Sequence, residues 1–173
     1  MSEQSPKKSQ KWKELDDEFQ FKSDRSVVIL GAAYLKTSLG QILESFFIKD
    51  KEISAMLLED EHLLDSFNAR IKVAYSLGLI SPNEYHDLLV ICSIHKDLIG
   101  KIEGVRFTDD GIREQCFNLE IPRKILLPGE TQIPRRLFVL TTVLLVQQLI
   151  LRVSQAAREK RIPRNNLMLV DTK

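Results

Sequence analysis

The chain has a recurring apolar stripe that breaks at a few well-marked points. Val28, Ala32, Leu35, Leu39, Ile42 and Phe46 alternate steps of four and three. That spacing places them on one face of a helix running from Ser23 or Asp24 to about Phe47. Gly31 and Gly40 interrupt the helix. Each costs about 1 kcal/mol of helix propensity relative to Ala, so a close neighbouring helix is expected there. A short helix is predicted over Lys51–Leu58. Phe67, Ile71, Ala74 and Leu77 then repeat at helical spacing up to Gly78, a residue type that ends helices in the left-handed conformation. Ser81-Pro82-Asn83-Glu84 restarts the chain with a cap, a proline suited to the first turn and an acid three residues on. The second helix continues to about Lys101, and the short connection makes the pair antiparallel.

Beyond this hairpin, Thr108 is predicted to cap a short helix through Asn118, with Asp109 and Asp110 in its first turn complementing the helix dipole. Ile121–Gln132 contains Pro122, Pro128 and Gly129 and reads as a loop. The last helix opens at Pro134 and runs to about Arg161. Its middle, Leu137–Val153, is apolar on nearly every side. The run is marginal against the roughly 20 apolar residues of a membrane span and is broken by Gln147 and Gln148. A central core helix or a subunit interface fits it better, and no membrane association is expected. No strand alternation or internal repeat is visible. The expected fold is an all-α, single-domain bundle of about six or seven helices with a long apolar C-terminal helix. Residues 1–22 form an N-terminal segment, 23–162 the bundle and 163–173 a tail.

Composition adds little to this. At 173 residues, 43% hydrophobic and 28% charged, the chain suits one globular domain. Met1–Lys22 is polar and resembles no signal peptide, so a cytoplasmic location is expected. Cys92 and Cys116 lie in helical contexts without metal-binding spacing and read as reduced thiols. The distribution of charge is more telling than the net +1. Residues 23–122 carry ten basic and sixteen acidic residues, whereas 123–173 carry ten basic and three acidic. Such asymmetry points to an acidic partner or to nucleic acid. Arg158, Lys160, Arg161 and Arg164 are the candidate contacts. They lack interleaved aromatics, so any nucleic-acid binding should be weak, salt-sensitive and non-specific.

No arrangement of residues indicates catalysis. The glycines match no phosphate loop, and His62, His86 and His95 are not at metal-ligand spacing. No catalytic, cofactor-binding or metal-binding residue is assigned. Arg70 shares a helix side with Val73, Ala74 and Leu77. A cation on a core-facing stripe calls for a partner, and the antiparallel geometry offers Asp97 or Asp87. We expect a buried structural ion pair between Arg70 and Asp97.

The run from Arg70 to Ile80 (RIKVAYSLGLI), Glu84-Tyr85 and Phe107-Thr108-Asp109-Asp110 resembles the mannitol operon repressor family of small, all-helical bacterial regulators. The resemblance covers about Asp24–Leu119. It implies a non-catalytic transcriptional regulator or co-repressor acting through a protein partner. Two alternatives compete with this reading. One is a degenerate HEPN-like RNase or toxin–antitoxin relative, whose pattern places an Arg, an Asn and a closing His after the position of Ile94. Here the chain has His95, Lys96 and Gly100 instead, so the paired cation and imidazole are missing. The other is direct DNA reading by the Ser66–Gly78 and Ser81–Lys101 helices. An acidic first turn opposes phosphate approach. A homodimer formed through the C-terminal helix is also expected.

Overall fold

The computed structural model describes Phe19 and residues 22–59, 63–100, 106–126 and 133–163. Among these residues there are seven helices and no strand. They are α1 (Asp24–Phe46), α2 (Lys51–Leu58), α3 (Phe67–Ser76), α4 (Pro82–Ile99), α5 (Asp110–Phe117), α6 (Glu120–Ile125) and α7 (Pro134–Arg158). The all-α bundle and the long apolar C-terminal helix are as the hydrophobic pattern predicts.

The two longest helices form the centre and run parallel. Asp24, in the first turn of α1, pairs with Arg135, in the first turn of α7. Ile42, near the end of α1, lines the same cleft as Ala156, near the end of α7. Gly31 permits their contact. A Cβ there would stand 3.2 Å from both the Phe138 ring and the Thr142 methyl. The α1 stripe is fully buried from Val27 to Leu43 at its core positions, as are Phe138, Leu145 and Leu149 of α7. Both helices are long and apolar enough to cross a membrane, and their most apolar stretches bury 56% and 39% of their residues inside the bundle.

Around this pair, α4 runs the opposite way. Its first turn meets Arg152 of α7, and its last turn places Ile94 and Leu98 beside Asp24, Val28 and Phe107. Its inner face, Leu88, Ile91, Ile94 and Leu98, is sealed. Phe107 packs on Phe138 at 5.3 Å, and its N–H donates to Asp24.

Two local expectations need correction. Thr108 does not cap α5; Asp109 takes the cap position and accepts a hydrogen bond from the Arg106 N–H. The segment after Ile121 is not all loop, because Glu120–Ile125 forms α6. Leu119 precedes it and supplies no capping side chain. Asp87, fully buried on α4, accepts from the backbone N–H groups of Glu120 and Ile121 at 2.7 and 2.8 Å. These are the donors that a helix start leaves open. The cap comes from 33 residues away, which no local pattern reveals.

Candidate partner-binding surface

The α3–α4 connection is built from two end signals. Leu79 N–H donates to the Ala74 carbonyl and Gly78 N–H to that of Tyr75, both at 2.9 Å, closing a Schellman turn. Gly78 takes φ = 72°, which an L side chain would resist. The next helix opens with a reciprocal box. Ser81 N–H donates to Glu84 Oε2 at 2.7 Å, and Glu84 N–H donates to the Ser81 hydroxyl. Tyr75 and Tyr85 stack at 4.3 Å across the hairpin.

Glu84 has a second role. Arg152, at the same end of α7, grips its carboxylate with Nη1 and Nη2, each at 2.7 Å, and Nη1 also donates to the Leu79 carbonyl. Burial alone would push the Glu84 carboxyl up. The Arg152 hydrogen bonds and those from Ser81 outweigh it, so Glu84 lies below its ordinary 4.5. A cleft of about 250 Å³ opens beside this pair. Ile42, Leu79, Ile80 and Ala156 give it apolar walls, and Arg152, Gln155 and Glu159 give it polar ones. Arg158 and Arg161 are exposed at this end, and Lys160 is half-buried. Arg164 lies outside the described residues.

Arg70 and Asp97 are not brought together, which corrects the expected pair. Arg70 is 8% exposed. Nε donates to the Leu64 carbonyl at 2.7 Å, Nη1 to that of Lys36 at 2.9 Å, and Nη2 to that of Leu58. Gly40 makes room, since a Cβ there would lie 2.7 Å from Nη1. The side chain therefore turns toward the α1–α2 side of the bundle. Asp97 is exposed and accepts from Gln115 Nε2 of α5 at 2.8 Å. Asp87, the other acid considered, caps α6 and meets His86 Nδ1 at 3.0 Å.

Nothing among the described residues assembles a reactive group. No three His, Cys, Asp or Glu side chains there could hold a metal ion. His95 is half-buried, and desolvation holds its pKa below the usual value. Cys92 and Cys116 are buried and free, and burial pushes the Cys116 thiol up to about 12, far from a reactive thiolate. His62 lies outside the described residues. Sequence reasoning missed the Glu84–Arg152 pair. Glu84 was visible only as a local cap, and its partner stands 68 residues on in a helix that reads as apolar.

The bundle and its doubly capped hairpin define a class: a small, all-helical bundle protein. The chain belongs to the mannitol repressor family, whose model matches residues 15–170. Among solved structures it is similar to the mannitol repressor in the MtlR–HPr complex from Escherichia coli. The TM-score is 0.64 at 21% identity, covering 78% of this chain and 94% of that one. At that identity the likeness establishes the fold. No curated protein matches the chain.

Proposed function

We propose that this protein is a non-catalytic regulator that acts by binding a protein partner, and that the partner is an HPr-type phosphocarrier. The observation that carries the reading is the fold shared with a family member solved as a complex with HPr. The exposed Arg158 and Arg161 beside the hairpin end offer charge to such a partner. In this reading the chain works in the cytoplasm as a co-repressor of sugar-alcohol uptake genes. It contacts DNA weakly if at all, through Arg158, Lys160, Arg161 and Arg164. Residues 23–162 form the working domain, flanked by an N-terminal segment and a C-terminal tail. The half-exposed apolar positions of α7, with Leu151 at its outer face, favour a homodimer through that helix.

Titration calorimetry with HPr purified from the same cell tests the partner. We expect saturable binding by the full chain. Absence of heat, and of co-migration on gel filtration at tens of micromolar, would overturn it. A deletion strain that leaves mannitol-inducible transcription unchanged would remove the regulatory role while leaving HPr binding standing. Cleavage of labelled single-stranded RNA, lost in His95→Ala, would instead favour a ribonuclease.

A further inference from the structure

The Arg152 guanidinium is only half used. An arginine has five N–H donors arranged on a rigid plane. Glu84 takes one hydrogen each from Nη1 and Nη2, and the Leu79 carbonyl takes the second from Nη1. The Nε–H and the outer Nη2–H remain, and they lie together along the other edge of the plane. No described residue bonds them. The side chain is 31% exposed and lines the cleft. Glu84 thus holds the guanidinium by one fork and leaves a second one, already oriented, open to a ligand. A fork of this kind fits a carboxylate in two-point contact.

The surroundings narrow the class of ligand. Ile42, Leu79, Ile80 and Ala156 offer apolar wall next to the fork. Arg158, the last residue of α7, and Arg161, in the chain that follows it, are exposed, with the half-buried Lys160 between them in the sequence. One carboxylate, Glu159, lines the cleft and is held by Gln155 Nε2 at 3.2 Å. Glu159 opposes any anion alike, and a nucleic-acid backbone would gain nothing from the aliphatic walls to offset it. An acidic peptide segment gains from the walls and the cations together: one carboxylate on the fork, an aliphatic neighbour in the cleft, and further acids against the arginines.

We propose that the free Nε/Nη2 edge of Arg152 is a docking point for an acidic segment of a partner protein that carries an aliphatic residue beside its carboxylate. The site is separate from the HPr reading, and HPr is absent from its test. The probe is a capped peptide of alternating glutamate and leucine, titrated into the 15N-labelled full chain. The Arg152 Nε–H cross-peak, assigned by its loss in Arg152→Lys, reports on the edge itself. It should shift saturably. Arg158→Ala with Arg161→Ala should weaken binding about two- to tenfold, the scale of two exposed charge contacts. Glu159→Gln should tighten it about two- to fivefold by removing a like charge. Neither variant touches the core, so folding does not obscure the result. An Arg152 cross-peak that stays fixed while those of Arg158 and Arg161 move would overturn the proposal as diffuse electrostatics. Equal or tighter binding of inorganic phosphate would overturn it in favour of a general anion site. Displacement of the peptide by duplex DNA at equal concentration, with the same cross-peak moving, would overturn it in favour of nucleic acid.

Discussion

Arg70 and Arg152 both tie elements of the bundle together, and they do it differently. Arg70 is nearly sealed and reaches the carbonyls of Leu58, Leu64 and Lys36. Two of those acceptors flank the connection between α2 and α3, and the third lies within α1. The cation therefore anchors the α2 end, where the helix itself buries only Ser54 and leaves Ile53 and Met56 exposed. Arg152 is partly exposed and reaches one carboxylate and one carbonyl at the hairpin. The first holds irregular chain to the core. The second holds an already well-formed turn and keeps donors to spare. Burial together with the number of main-chain acceptors should thus rank their contributions to stability.

Removing Arg70 gives the largest expected effect. Arg70→Met keeps most of the volume and removes every donor. Buried acceptors left open cost about 1–3 kcal/mol each, and some will find water, so a total of about 3–5 kcal/mol is expected in urea melts. Hydrogen exchange should show α2 opening before α4. A loss below about 1 kcal/mol, the scale of an exposed contact, would erase the contrast between the two arginines.

Arg152→Met comes next, at about 2–4 kcal/mol, because it strands a buried carboxylate that keeps only its Ser81 contacts. Glu84→Gln tests the same pair through pH. The folded Glu84 pKa is below the ordinary 4.5. Its contribution is therefore full above the unfolded value and is lost as pH falls through the folded one. Wild-type stability should drop over that acid range more steeply than that of Glu84→Gln. Parallel slopes would mean that Glu84 titrates alike in both states.

These two regions also mark how far the sequence could be read. The helices of the hairpin were legible because their signals are local: stripe spacing, Gly78, and the Ser81–Glu84 box. The long α1 and α7 were legible from periodicity and apolarity. What stayed hidden were bonds between distant segments. Arg70 was correctly placed on a core-facing stripe, yet only the packed bundle shows that carbonyls of 36, 58 and 64 converge there. Main-chain acceptors leave no mark in side-chain identity, so a pattern of residue types points only to carboxylates as partners for a buried arginine. The Asp87 cap on α6 is hidden likewise, because the main-chain N–H donors of Glu120 and Ile121 leave no such mark either. The cleft is a further step removed, since its walls come from α1, the hairpin turn and α7.

Gly40→Ala probes the Arg70 site without touching the arginine. Alanine gains about 1 kcal/mol of helix propensity. Its Cβ would stand 2.7 Å from Nη1, so the guanidinium must shift off its acceptors. Overpacking of this kind costs about 1–3 kcal/mol, so a net loss of up to about 2 kcal/mol is expected. In the Arg70→Met background the clash with Nη1 is gone, and the same change should become neutral or stabilising. A loss of equal size in both backgrounds would show that Gly40 is needed for some other contact.

The smallest effect is expected at Asp97, and it separates the observed network from the one the sequence suggested. Asp97 is exposed on α4 and accepts one bond from Gln115. Solvent replaces such a bond readily, so Asp97→Ala should change stability by no more than about 0.5 kcal/mol. Arg70 bonds elsewhere, toward α1 and the α2–α3 connection. Arg70→Met and Asp97→Ala should therefore add within about 0.3–0.5 kcal/mol in the double mutant. A coupling energy of about 1 kcal/mol or more would mean that the two charges meet in solution. Arg70 would then reach α4 as well as the α1 and α2–α3 carbonyls, and the ranking of the two arginines would have to be drawn again.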